Sequence, residues 1–326
     1  MALQETLNLA LQHHQAGKLA EAEAIYRQVL ADQPNQPDAL HLLGALLAQG
    51  GDHNAAIESI RRAIARAPAR AEFYGSLGLS LMAIGKVQDA AAAYQRALAL
   101  RPGLMQAHNN LGIALQMLGK PHDAFKSFSR AVELRPDGPD AHFNIGNLLR
   151  DTGRPAEAIR AYESAIRLKP DWTEAHNNLG GVYQQLGMLD QAIASYEQAV
   201  QPRPDYAEGW SNLGEVLCRS GRHDRAIAAC RRAVTLKPTF PEAVNNLGTA
   251  LAAAMLWEEA INAFRLALIL RPRYAQANDN LASALWASGQ IDMAIEAFRK
   301  ATELRPNDEK AREKLTAAMK AAGRTE

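Results

Sequence analysis

The 326-residue chain has only two cysteines, Cys218 and Cys230, too few for a disulfide framework and not spaced as a C-x-x-C motif. Neither sign of charge prevails. With 36 basic against 35 acidic residues the formal net charge is +1, which leaves no field to draw in nucleic acid or an anionic membrane. No apolar run approaches the roughly 18 to 20 residues that a membrane-crossing helix needs; the longest candidate, Ala250 to Trp257, falls far short. The N-terminus, MALQETLNLALQHHQAG, lacks a basic lead and places Glu5 and Asn8 where a signal peptide requires an apolar core. N-x-S/T glycosylation acceptors are missing. A soluble protein of a reducing, cytoplasmic compartment is the expectation. Catalytic motifs are missing as well: there is no G-x-S-x-G, H-E-x-x-H or G-x-x-x-x-G-K-[ST], no G-x-G-x-x-G in a strand-to-helix setting, and no segment that reads as a strand. The expectation is a protein that is not an enzyme, with no catalytic residue, no metal and no cofactor.

What the chain does have is a period. Prolines stand at Pro34, Pro68, Pro102, Pro136, Pro170, Pro204, Pro238, Pro272 and Pro306, an unbroken spacing of 34 residues. The phrase AHNNLG at Ala107 to Gly112 returns at Ala175 to Gly180, with AVNNLG at Ala243 to Gly248. Setting each proline at position 32 divides the chain into nine units, 3–36, 37–70, 71–104, 105–138, 139–172, 173–206, 207–240, 241–274 and 275–308, with 309–326 left as a capping helix or truncated tenth unit. Stacked repeats of this kind grow lengthwise instead of closing one globular core.

Position 20 is alanine in all nine units, position 24 is usually a ring (Tyr26, Tyr94, Phe128, Tyr162, Tyr196, Phe264, Phe298), and position 27 is alanine after Val29. That i, i+4, i+7 stripe predicts an amphipathic helix in the later half of each unit. In the earlier half, leucine or isoleucine at position 7, glycine at position 8 in seven units, and an aliphatic or Tyr183 at position 11 after the first unit predict another. A glycine at position 15, from Gly17 to Gly289, suits a left-handed cap between the two helices, with Met255 as the exception. Each unit therefore reads as a helical hairpin. Trp210, Leu213, Gly214, Leu217, Ala226, Cys230 and Pro238 fit the pattern W-x2-L-G-x2-Y, A-x3-F, P, and on these residues the chain resembles the tetratricopeptide repeat (TPR) family from Leu3 to Asp308. The resemblance implies an all-α fold, a right-handed α-solenoid or superhelix whose first helices line a concave groove, and protein or extended-peptide partners.

Position 6 is asparagine in six consecutive units: Asn110, Asn144, Asn178, Asn212, Asn246 and Asn280, with Asn109, Asn177, Asn245 and Asn147 close by. Position 6 should face the groove with positions 2, 9 and 13. An amide carries both a donor and an acceptor, so such a row can hold peptide backbone without reading side chains. The pattern is similar to the asparagine-lined repeats of O-linked N-acetylglucosamine transferases, which recruit protein substrates. Two roles stay open: rungs for a ligand, or a structural hydrogen bond from each asparagine to the backbone of the next repeat. A clamp for carboxylate tails is disfavoured, because position 2 is acidic in most units, including Asp38, Glu72, Glu174, Glu208 and Glu242.

Four further features carry expectations. His108, His142 and His176 recur at position 4, one repeat apart, too far to share a metal, so packing or hydrogen bonding is expected. Met255 should strain or reshape its turn, with neighbouring Trp257 either packed or part of an exposed patch. The rings Trp172, Tyr206, Phe240 and Tyr274 should pack between repeats, and Pro202 should end its helix early. The functional expectation is an interaction scaffold binding extended peptides or proteins in its groove, with no nucleic acid and no membrane as partner. The alternative is the substrate-recruiting region of a glycosyltransferase like the O-linked N-acetylglucosamine enzymes, or of a sulfotransferase, without its catalytic domain. Self-association through the end repeats is a third reading.

Overall fold

A computed structural model describes residues 3–324. Among the described residues there are nineteen α-helices and no strand, and no helix is long and apolar enough to cross a membrane. The fold is an all-α solenoid of paired helices, and the chain divides into two units, Met1–Leu168 and Lys169–Glu326. Unit 1 contains α1 (Leu3–Gln15), α2 (Leu19–Asp32), α3 (Pro37–Gln49), α4 (His53–Arg66), α5 (Ala71–Ala83), α6 (Val87–Leu100), α7 (Met105–Met117), α8 (Pro121–Leu134), α9 (Pro139–Asp151) and α10 (Pro155–Leu168). Unit 2 contains α11 (Thr173–Gln185), α12 (Leu189–Val200), α13 (Ala207–Arg219), α14 (His223–Leu236), α15 (Pro241–Ala253), α16 (Trp257–Leu270), α17 (Ala275–Ala287), α18 (Ile291–Leu304) and α19 (Glu309–Ala321).

The hairpin turns follow from backbone bonding. At Gly187, with φ 74°, the glycine N–H donates to Gln184 O at 3.1 Å and Met188 N–H donates to Tyr183 O at 2.9 Å. This paired closure satisfies carbonyls that the helix end leaves open, and it needs a left-handed residue between them. Met255 adopts the same conformation, φ 60°, and its turn closes in the same way, Met255 N–H to Ala252 O and Leu256 N–H to Leu251 O, both 2.9 Å. The turn is therefore strained and not reshaped. Trp257, next to it, is half-buried and packs against the core of unit 2.

The second helices stop where the pattern places them. The N–H at position 31 makes a last helical bond, as Arg101 N–H does to Ala97 O at 2.8 Å, and proline at position 32 blocks further winding. Pro202 brings this stop forward: α12 ends at Val200 and has 12 residues where the other second helices have 14.

In five of the hairpins the two helices meet at a ring laid on a glycine; Gly44 instead faces Ile60 and Gly214 faces Cys230. A Cβ added to Gly112 would lie 2.5 Å from the Phe128 ring, one added to Gly146 2.7 Å from Tyr162, and one added to Gly248 2.6 Å from Phe264. Any larger side chain at position 8 would push the ring from its seat. The alanines at position 20, Ala22 to Ala294, are fully buried, the point of closest helix approach. Fully burying each such ring is worth roughly 1.5 to 3 kcal/mol, alongside the buried aliphatic side chains of both helices. Within each unit successive first helices also touch one another, while successive second helices do not approach as closely. First helices thus form the inner wall of each stack.

Candidate functional site, the inner wall of the first helices

The inner wall is built from side chains that recur one repeat apart, and three rows of contacts hold it in register. The first row uses position 4. His108 Nε2 lies 2.9 Å from Pro102 O and His142 Nε2 3.2 Å from Pro136 O in unit 1; in unit 2, His176 Nε2 lies 2.8 Å from Pro170 O and Trp210 Nε1 donates to Pro204 O at 3.1 Å. A carbonyl can only accept, so each imidazole holds its proton on Nε2. The three histidines are thus hydrogen-bond donors to the repeat before them.

A second row joins positions 2, 31 and 34. In unit 2, Arg203 pairs with Glu174 at 2.9 Å, Lys237 with Glu208 at 2.8 Å, and Arg271 with Glu242 at 2.6 Å. The same cations sit over the rings at position 34: Arg203 is 4.4 Å from the Tyr206 centroid, Lys237 4.9 Å from Phe240 and Arg271 5.0 Å from Tyr274. Lys169 lies 4.9 Å over Trp172. The Lys237 ammonium, hydrogen-bonded to Glu208, holds that carboxyl below the usual range. In unit 2 the three acids at position 2, Glu174, Glu208 and Glu242, which the sequence presents as an open acidic face, are therefore matched by cations from their own repeat. Repulsion of a carboxylate tail does not follow from them.

The third row is the asparagines. In unit 1, Asn144 Nδ2 donates to Asn109 Oδ1 at 2.9 Å. In unit 2, Asn212 Nδ2 donates to Asn177 Oδ1 at 2.9 Å, Asn246 Nδ2 to Ser211 Oγ at 3.1 Å, and Asn280 Nδ2 to Asn245 Oδ1 at 3.0 Å. Position 6 of one repeat thus grips the side chain at position 5 of the repeat before it, in place of the expected bond to the backbone of the next repeat. The row ends in an ion pair at the same two positions, Lys314 with Asp279 at 2.7 Å. An equivalent seam in unit 1 joins His41 Nε2 to Ser76 Oγ at 2.8 Å, where burial lowers the His41 pKa below its ordinary 6.5.

Asn110 and Asn178 are half-buried on α7 and α11. Asn245 is only 1% exposed and belongs to the interior of the seam. Asn147 accepts a hydrogen bond from Tyr162 Oη at 2.7 Å, which commits its carbonyl to the hairpin core. Cys230, fully buried in place of the ring, has its thiol pushed up to about 12 by burial, and Cys218 is raised by burial too.

In unit 2 the inner wall opens into a cavity of about 510 Å³ lined by Asn212 and Asn246 together with Glu215, Arg219, Phe240, Glu242, Thr249, Tyr274 and Gln276. Positions 2, 6, 9 and 13 share this space. The cavity itself was not legible in the sequence, although the lone acid at position 9, Glu215, was a signal for it. Among the described residues no three metal-ligating side chains come together.

Residues 7–71 and 47–104 match the family model described as tetratricopeptide repeat, and residues 104–326 match the one described as the cilia and flagella-associated protein 70 C-terminal domain. No curated protein matches the chain. Among solved structures the chain is similar to YrrB, described as a TPR protein with an unusual peptide-binding site, at 21% identity over 57% of this chain and 96% of that one, TM-score 0.51. It is also similar to the APC/C hetero-tetramer Cut9–Hcn1, at 19% identity over 87% of this chain and 56% of that one, TM-score 0.57. Identities this low establish likeness of fold.

Proposed function

The chain belongs to the tetratricopeptide-repeat family, its residues 104–326 within the family described as the cilia and flagella-associated protein 70 C-terminal domain, and on that premise we propose that it is a non-catalytic interaction scaffold taking up extended peptide segments of partner proteins along the inner wall. The observation that carries this reading is the orientation of the amides. Asn144, Asn212 and Asn246 each give one N–H to the preceding repeat, which fixes the amide plane. The carbonyl oxygen and the second N–H of each amide stay available, the complement of a peptide unit. Successive helices about 8 to 10 Å apart, set against an extended strand that advances roughly 3.3 to 3.6 Å per residue, give one rung to about every third ligand residue. At about 0.5 to 1.5 kcal/mol net per hydrogen bond, several rungs must act together to approach the roughly 8 kcal/mol of a micromolar complex. The binding is modest and tolerant of sequence.

The test separates the two roles of the amides. Replacing Asn212, Asn246 and Asn280 by alanine should weaken binding of a panel of neutral fluorescent decamers by roughly tenfold or more, given the energy per rung, while the helical circular dichroism is kept. Asn177→Ala removes the acceptor that fixes the Asn212 amide but keeps every rung; it should lower stability by about 1 kcal/mol and weaken binding far less than the triple variant does. Equal binding by the triple variant and the wild type removes the ladder as a ligand site.

A further inference from the structure

We infer that the cavity in the inner wall of unit 2 is a socket for a cationic side chain, arginine or lysine, of the bound peptide, with Glu215 as its counter-charge; this rests on the inner wall being a peptide-binding surface. Position 9 is aliphatic, small or neutral in every other repeat, from Leu11 to Ser283, so Glu215 is a singular charge in that row. It is half-buried on α13 and lines the cavity. A relay holds it in place: the buried Tyr196 hydroxyl donates to Gln184 Oε1 at 2.9 Å, and Gln184 Nε2 donates to Glu215 Oε1 at 2.6 Å. Among the described residues no cation pairs with Glu215, which leaves Oε2 without a partner. Its negative charge reaches the surroundings, where it adds to the raised pKa of Cys218 and Tyr274, both already raised by burial.

The other charges at the cavity are matched, with one exception. Glu242 is paired with Arg271. Phe240 and Tyr274 wall the space, and the cations on their faces, Lys237 and Arg271, belong to acids of their own repeats. Arg219 is the exception: it is exposed, one turn beyond Glu215 on α13, and makes no ion pair with it. A fixed, half-buried carboxylate between aromatic walls suits a guanidinium or ammonium, through a charge-assisted hydrogen bond and ring contact. In this arrangement Arg219 opposes the ligand's charge, and this gives the socket a test with a sign.

Three fluorescein-labelled decamers, identical in a Gly/Ser/Asn background except for a central arginine, alanine or glutamate, serve as probes by fluorescence anisotropy. The arginine decamer should bind about tenfold more tightly than the alanine one, the scale of one charge-assisted bond, and the glutamate decamer should bind least. Glu215→Gln, which keeps the shape and the acceptor for Gln184, should reduce the arginine decamer to the level of the alanine one and leave the latter unchanged. Arg219→Ala should tighten the arginine decamer a few-fold. Equal binding of the arginine and alanine decamers, an arginine preference that survives Glu215→Gln, or weaker arginine binding in Arg219→Ala overturns the socket while leaving the amide ladder intact. Failure of all three decamers to bind the wild-type chain overturns both.

Discussion

Met255 holds the left-handed conformation that glycine holds at the equivalent turns, and a side chain there costs about 1 to 2 kcal/mol. Its side chain is 74% exposed, so little packing offsets that cost. Met255→Gly should therefore raise the unfolding free energy by about 1 kcal/mol, less than the full strain because glycine also loosens the unfolded chain. A urea titration reads this directly, and an unshifted midpoint would mean that the turn is not strained. The sequence marked Met255 as a departure from pattern but could not say whether the turn bends to suit it, because that depends on the bonds from Met255 and Leu256 to carbonyls three and five residues back. The asparagines show the same division. Their repetition is visible in the letters, whereas the pairing of Asn212 with Asn177 connects residues 35 apart that only stacking brings together.

Among the helices, α12 shows how far one residue can set an element. Where most units have leucine at position 30, Pro202 removes a donor and clashes with the turn before it, so α12 stops two residues short. Beside its end lies a second cavity, about 860 Å³, floored by Trp210, Leu213 and Leu217 of α13. Pro202→Leu should continue α12 through residue 202, and the amide proton of Arg203 should exchange roughly tenfold more slowly in hydrogen-exchange measurements, as it gains a helical acceptor. Unchanged fast exchange at Arg203 in the variant would show that the early stop has another cause. Helix identity and the early stop were legible from proline and alanine positions. The seat of each ring on a glycine of the partner helix, as in Gly248 and Phe264, required the packed hairpin to become visible.

Along the whole chain, stability should be local, because each hairpin is stabilised chiefly by its own core and its immediate neighbours. Gly248→Val, which drives a side chain into the Phe264 ring, should cost about 1 to 3 kcal/mol as an overpacked site. Hydrogen exchange should then quicken across α15 and α16 while α11 and α12 keep their protection; uniform loss across unit 2 would show a cooperative block in place of a nearest-neighbour stack. The 34-residue period, carried by proline, alanine and glycine at fixed places, determined by itself that the chain forms helical hairpins, since those residue types constrain the backbone wherever they stand. Charge and amide chemistry were decided only by tertiary structure. Whether Glu208 faces a ligand or Lys237, and whether Asn246 is free or bonded to Ser211, depends on which side chains meet between residues 29 and 35 apart in the chain. The letters name the groups that can bond, but the stacking of helices decides which bonds are used up and which, as at Glu215, are left open.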